Sequence, residues 1–349
     1  MALSIGVDIG GTKVSAGVVD ESGAILARHL TPTPSHSPRA VEDTIVAAVE
    51  QLRVSHPEVA SVGIGAAGWV DTDQATVRFS PHLAWREEPL QARLSRRIDL
   101  PLLIDNDANA ATWAEYRFGA VADAQVLVGI TLGTGIGGAF VIDGRLFRGT
   151  YGMAGEWGHM ITVPDGHRCP CGNRGCWEQY ASGNALGRDA RELASARSPQ
   201  AQGILELTGR EPDQLTGADV TRAALAGDAT AIEMIGEVGT WLGRGIANLA
   251  AGLDPDAFVI GGGLSNAGDL LLAPAQQAFQ RTLTGRGFRT PARLTLARFR
   301  NEAGLLGAAD LARHSLVEPP SERRAGFWPG RGRLRSRLRR RLGGERAAG

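Results

Sequence analysis

A chain of 349 residues is long enough to bury two hydrophobic cores. Its 37 basic and 37 acidic residues cancel, but unevenly: residues 318–349 hold ten arginines against three glutamates, a net of +7, so residues 1–317 carry −7. A mildly acidic body with a short basic tail excludes a uniformly basic nucleic-acid binder. The lack of any long apolar run argues against a membrane-spanning chain. No secretory signal opens the sequence, and the cysteines are spaced as metal ligands rather than bridges, so a cytoplasmic setting is expected. Lys13 is the sole lysine among 36 arginines.

Leu3 to Arg28 reads as a three-strand meander. The first turn, Asp8-Ile9-Gly10-Gly11-Thr12-Lys13, lies between apolar alternating runs, and Asp20 to Gly23 forms the second. A Gly-Gly turn between strands offers backbone amides to phosphate oxygens, or it merely turns the chain. It lacks the length of a Walker loop and the spacing of a dinucleotide fingerprint. Asp8, at a strand end, either holds a magnesium ion through water or caps the turn. Pro38 to Val54 has helical spacing, with Val41, Ile45, Ala48, Val49 and Leu52 on one side. A strand at Val62 to Gly65 runs into Ala66-Ala67-Gly68, small enough for close approach by a ligand. Val77 to Phe79 predicts a short strand and Leu90 to Ile98 a helix. Leu102 to Ile104 predicts a buried strand that delivers Asp105-Asn106-Asp107 at its carboxyl end, where α/β sheets place their ligands. Helix N-capping accounts for one of these three residues and leaves the others free.

Gln125 to Thr131 is a strand, Leu132-Gly133-Thr134-Gly135-Ile136-Gly137-Gly138 a second Gly/Thr turn, and Ala139 to Ile142 another strand. One device thus occurs twice, and two such hairpins facing each other would clamp a polyphosphate. Next comes GEWGHMITVPDGHRCPCGNRGCWE, residues 155–178, which holds all three cysteines. Cys169, Cys171 and Cys176, with His159 upstream, supply the donors of a closed tetrahedral zinc shell, and Gly172 and Gly175 let the backbone wrap that tightly. A disulfide with one cysteine left over, or three inert thiols, are the alternatives. Glu156 and Glu178 bracket the arc beside Trp157 and Trp177. They read either as paired acceptors for sugar hydroxyls or as ordinary surface glutamates. Helices follow at Asn184 to Ala196, Gly217 to Ala226 and Ala229 to Leu249. A strand at Ala257 to Ile260 then opens into Gly261-Gly262-Gly263, which cradles a nucleotide or simply packs tightly. A strand at Arg293 to Ala297 and a helix at Gly304 to His314 complete the body.

Together the Asp8 to Lys13 turn, Asn106-Asp107, the stretch from Leu132 to His159, the cysteine arc and Glu178 resemble the ROK (repressor, ORF, kinase) family of sugar kinases, within it the bacterial glucokinases. The resemblance spans residue 3 to about 313; its glycine turns are shared with the wider actin-like ATPases, whereas Glu-x-x-His with the arc is specific to ROK proteins. It implies an α/β fold of two ribonuclease-H-like domains closing on a central cleft. Residues 1–116, completed by the helix at about 304–316, would form the small domain. Residues 117–304, with the zinc arc at 159–176, would form the large one. By the same similarity Asp107 is the catalytic base, and Gly68, Asn106, Glu156, His159 and Glu178 line the sugar. Gly10, Gly11, Thr12 and Lys13 match one phosphate turn, Gly133, Thr134 and Gly135 the other, and Gly261, Gly262 and Gly263 the adenosine loop. Asp8 matches the position that organises magnesium, and His159 serves both zinc and sugar. The implied reaction is transfer of the ATP γ-phosphoryl group to the 6-hydroxyl of glucose, in a homodimer or homotetramer.

Three alternatives stay open: a kinase for N-acetylglucosamine or mannose, a polyphosphate-using glucokinase, or a sugar-sensing ROK regulator. The regulator would need a helix-turn-helix ahead of the body, for which the first strand at Leu3 leaves no room, so no DNA partner is expected. Beyond Pro319-Pro320 the chain departs from the family. Leu334, Leu338 and Leu342 fall among arginines at helical spacing, either a weak binder of anionic surfaces or an unstructured extension.

Overall fold

The computed structural model describes residues 2–119 and 121–317; the Arg-rich segment 318–349 lies outside them. The first half runs through strands β1 (Leu3–Ile9), β2 (Lys13–Val19) and β3 (Ile25–Pro32), helix α1 (Pro38–Ser55), and strands β4 (Val59–Ala66), β5 (Trp69–Val70), β6 (Val77–Phe79) and β7 (Arg86–Glu88). Helix α2 (Leu90–Leu94), strand β8 (Leu102–Asn106) and helix α3 (Asp107–Phe118) complete it. The second half comprises β9 (Val126–Leu132), β10 (Ile136–Ile142), β11 (Arg145–Leu146), α4 (Gly183–Ser195), α5 (Gln202–Thr208), α6 (Gly217–Leu225), α7 (Ala229–Leu253), β12 (Ala257–Gly261), α8 (Asp269–Thr282), β13 (Arg293–Leu296) and α9 (Ala303–Val317).

Each half builds a sheet on the same plan. The orders are β3-β2-β1-β4-β8 and β11-β10-β9-β12-β13, with an antiparallel hairpin leading into parallel strands in both. The repeated hairpin predicted from the glycine turns is therefore one corner of a repeated sheet. Parallel strands covered on both faces should read as continuous apolar runs. β4 and β12 do so: Val62, Ile64 and Ala66, like Ala257, Phe258 and Ile260, have no exposed surface. Helix α1 lays Val41, Ile45, Ala48, Val49 and Leu52 on the first sheet, and Ser37 caps its N-terminus. The second sheet is packed by α4, α6, α7 and α8 around Phe258, Ile260, Ile235, Leu242 and Phe279.

Helices α3 and α9 join the two halves. Leu103 of β8, Trp113 of α3, Leu127 of β9, Val259 of β12 and Ala308 of α9 share one core. Asp310 of α9, with no exposed surface, accepts from Trp113 Nε1 at 2.9 Å, Arg117 Nε at 3.0 Å and Arg313 Nη1 at 2.9 Å. Arg313 in turn donates to the carbonyls of Ala2 and Val19, so one buried carboxylate ties α9 both to α3 and to the first sheet. Through Arg313, the described residues form one compact unit.

Three local expectations need correction. The helix predicted at 90–98 ends at Leu94, and residues 95–97 form a turn in which the amides of Arg97 and Ile98 both reach the Leu94 carbonyl. The second Gly/Thr turn is confined to residues 133–135, since Gly137 and Gly138 belong to β10, where the indole of Trp157 lies over Gly138. The short strand predicted at Val77 to Phe79 is β6; its partners β5 and β7 and helix α5 are additions to the predicted elements, their apolar periods being only a few residues long. Among the described residues, no helix is long and apolar enough to cross a membrane.

Removing one partner of a buried charge network leaves uncompensated charge. Asp310→Ala should therefore cost about 3–5 kcal/mol in urea unfolding. A loss below about 1 kcal/mol would place Asp310 outside the elements that hold α9 in place.

Candidate active site

The acidic residues gather where parallel strands end. In register, Asp8 of β1 faces Gly65 of β4, and Gly65 faces Asp105 of β8; Asn106 then pairs with Ala66 and hands the chain to α3. Asn106 is the helix N-cap: its Oδ1 accepts from the amides of Ala108 and Asn109, while its Nδ2 donates to the Gly68 carbonyl at 2.9 Å and to Asp107 Oδ1 at 3.1 Å. One side chain thus fixes the Gly68 loop, the helix start and the Asp107 carboxylate together. Asp107 Oδ1 also accepts from the Ala108 amide at 2.9 Å. Burial, with the negative charges of Asp8 and Glu156 nearby, raises the Asp107 pKa to about 7. Burial likewise raises Asp8 to about 6, against the opposing pull of Lys13. Glu156, raised chiefly by burial and restrained by His159, is the second negative charge that bears on Asp107.

Of the glycine turns, the one at 10–13 is closed by Gly10 N to Lys13 O at 3.0 Å and braced by Thr33, whose Oγ1 donates to the Gly10 carbonyl. Thr12 and Lys13 are exposed. In the second turn the carbonyls of Gly133 and Thr134 accept from the amides of Gly183 and Asn184 at the start of α4. Gly262 packs against the backbone of Leu132, so the 261–263 loop lies beside the 133–135 turn. The structure brings those two together directly; the 10–13 turn reaches the acidic cluster through Asp8. Gly135 adjoins Glu178, and a β-carbon there would lie 2.4 Å from Glu178 Oε2.

His159 and the three thiols converge. All four donor atoms lie within 4.8 Å of one another, with Cys169 Sγ to His159 Nδ1 at 3.7 Å and Cys171 Sγ to Cys176 Sγ at 3.6 Å. Donors on a tetrahedral zinc with bonds of ~2.3 Å sit roughly 3.7 Å apart, so the set fits that ion. No disulfide is present, which removes the bridge alternative. At Gly175, with φ +76°, a β-carbon would strike the Val163 carbonyl at 1.7 Å. Trp177, fully buried, anchors the arc by donating to the Trp241 carbonyl of α7 at 2.9 Å. The two tryptophans therefore hold the arc on the second half, and the glutamates beside them are set by it. Glu178 Oε1 lies 3.1 Å from Cys169 Sγ and 3.7 Å from His159 Nδ1, while His159 Nε2 faces Glu156 Oε2 at 3.9 Å. One nitrogen of His159 thus points at the thiols and the other at the carboxylate cluster.

Two further residues stand against the site that the sequence motifs do not single out. Gly304, in the first turn of α9, lies so near Asp8 that a β-carbon would come within 2.7 Å of its carboxylate, which places Asp8 at the positive end of that helix. Trp69 lies near Glu156, where its indole N–H favours the charged carboxylate, and its ring is tilted 42° against that of Phe79 at 5.2 Å. A glycine near a helix start and a tryptophan after Gly68 were the only signals, and neither names its partner.

The family described as ROK matches residues 4–315. The glucokinase of Streptomyces coelicolor is 49% identical over 313 residues, covering 90% of this chain and 98% of that one. A ROK family glucokinase from Streptomyces griseus, solved in complex with glucose and AMPPNP, superposes with a TM-score of 0.83 at 47% identity, over 90% of this chain and all of that one. The ROK hexokinase of Thermus thermophilus gives 0.75 at 32% identity, over 91% of this chain and 100% of that one.

A closed His/Cys3 shell should carry about one zinc per chain by elemental analysis. Stripping it with a strong chelator should lower the Tm by on the order of 5 °C or more. Metal-free protein with an unchanged Tm would take the metal out of the arc.

Proposed function

Since the chain belongs to the ROK family, we propose that it is a glucokinase, which passes the γ-phosphoryl group of ATP to the 6-hydroxyl of glucose. Its paired α/β halves have the actin-like ATPase fold of ROK sugar kinases. The observation that carries the reading is the convergence of Asp107 and Asp8 from the first half with Glu156 from the second.

Phosphoryl transfer asks for alignment and charge neutralisation more than covalent help. Asp107, held by Asn106 and poised near neutrality, is the base: as the sugar oxygen bonds to the γ-phosphorus and the bond to ADP breaks, the hydroxyl proton passes to its carboxylate. Gly68, Asn106, Glu156, His159 and Glu178 take the remaining hydroxyls. A sugar that lacks a hydroxyl, or inverts it, leaves a carboxylate unpaired, the arrangement that discriminates best between close analogues. Amides of residues 10–13 and 133–135 hold the phosphates, and Gly261 to Gly263 the adenosine. Magnesium, which Asp8 would anchor, would supply charge neutralisation at the phosphates. The zinc arc is structural and fixes His159 and Glu178. Residues 1–116 with α9, and residues 117–304, act as lobes that close on the substrates and shut out water. The same reading includes a cytoplasmic setting with reduced thiols and a dimer or tetramer, which light scattering on the purified chain measures directly.

A coupled assay that crosses ATP and polyphosphate with glucose, mannose and N-acetylglucosamine tests the proposal; the highest kcat/KM on any other pair would overturn the glucose–ATP assignment. Asp107→Asn should keep glucose affinity and lose roughly 10²- to 10⁴-fold in kcat. A variant retaining more than about a tenth of wild-type kcat would remove Asp107 from the base role. Because Asp107 must be ionised to accept a proton and its pKa is raised to about 7, kcat/KM should be level above that pH. Below it, kcat/KM should fall about tenfold per unit.

A further inference from the structure

Asp105 is 1% exposed and gathers more donors than any other group beside the carboxylate cluster. Its Oδ1 accepts from the Asn106 amide at 2.9 Å and Asn109 Nδ2 at 2.8 Å; its Oδ2 accepts from Gln74 Nε2 and Arg148 Nε, both at 3.0 Å, and from Arg148 Nη2. These donors come from three separate segments. Asn106 and Asn109 open α3, and Gln74 tips a turn whose carbonyl also accepts from the Ile104 amide. Arg148 belongs to the other half of the molecule, just past β11.

Arg148 begins the loop that leads to Glu156. The loop is closed by Ala154 N to Arg148 O at 3.2 Å, and Gly152 packs on Val70 and Asp71 of the first half. A planar guanidinium paired through two nitrogens fixes direction as well as distance. The next residues after Asp105 are Asn106 and Asp107, so the ion pair sets one end of the carboxylate cluster against the other.

We propose that Asp105 and Arg148 are positioning residues, a clasp between the two halves that holds Glu156 opposite Asp107 and so sets the affinity for glucose without touching it. The proposal rests on the glucokinase reading. A pair that merely stabilised the scaffold would alter the Tm and leave the ratio of sugar to nucleotide affinity unchanged.

The test uses the full chain, with glucose Kd from tryptophan fluorescence and steady-state KM for both substrates. Arg148→Met should raise glucose Kd and KM roughly 10- to 100-fold, with KM for ATP within about twofold. Arg148→Lys keeps the charge but loses the second nitrogen of the pair, and should recover only part of that loss. Gln74→Met, which removes a neutral donor from the same carboxylate, should raise glucose Kd about threefold. Wild-type glucose Kd in Arg148→Met, or equal rises in both KM values, overturns the clasp. If Arg148→Met does not fold, unchanged glucose Kd in both Arg148→Lys and Gln74→Met overturns it. A wild-type chain that binds no glucose fails the glucokinase reading and the clasp with it, whereas normal wild-type binding with unshifted variants fails the clasp alone.

Discussion

The buried carboxyl group of Asp107 sits where the negative charges of Asp8 and Glu156 both bear on it, and much of the surrounding structure serves to hold it there. Burial raises Asp107 to about 7 and Asp8 to about 6 from an ordinary 3.8. A carboxyl group whose native pKa lies above its unfolded value keeps its proton longer when folded. Native stability from these groups therefore drains away as pH rises from about 4 through 6 and 7. The fold meets that cost with rigid supports: β1, β4 and β8 end side by side, Asn106 caps α3 with one end and holds Asp107 with the other, and Asp8 sits at the start of α9. Hydroxyl groups of a bound sugar, donating to these carboxyl groups, would offset part of that cost, which couples a destabilised site to binding.

The repeated sheet explains how groups so distant in sequence reach one place. Each half offers the same hairpin turn at the same edge of the same strand order, so the polar turn of one is matched by that of the other. Beyond the hairpin the halves diverge. The first supplies strand-end acids; the second extends from β11 through the cysteine arc, whose glutamates flank His159. Helices α3 and α9 carry the join, and their shared apolar core and the Asp310 network make it a firm one.

Much of this was legible in the sequence because its causes are local. Turn glycines between alternating apolar runs mark the meander, the helical spacing of Val41 to Leu52 marks α1, and the clustered cysteines mark a metal shell. Strand ends carrying Asp8 and Asp107 were visible for the same reason. The hidden part depends on contacts between distant segments. Asp105 looked like one more acid at a strand end, and only the fold brings Arg148 and Gln74 to it. Gly304 carries no mark of its proximity to Asp8. The turn at 133–135 read too long, since Gly137 and Gly138 are glycine for packing beneath Trp157 rather than for turning.

The geometry of His159 links the metal shell to the chemistry more closely than a brace alone would. Its Nδ1 lies 3.7 Å from Cys169 Sγ, and its Nε2 points to Glu156. A neutral imidazole carries one proton, and when one nitrogen is a metal ligand the other must hold it. Were a zinc held by the three thiols and Nδ1, Nε2 would be fixed as a donor aimed toward Glu156, an orientation that a free histidine would lose to tautomer exchange and ring rotation. Thiolate formation at Cys169 would also remove the S–H that now faces Glu178, leaving that carboxylate free to accept from another group. A closed metal shell would thus govern which side chains donate and which accept at the neighbouring carboxyl groups.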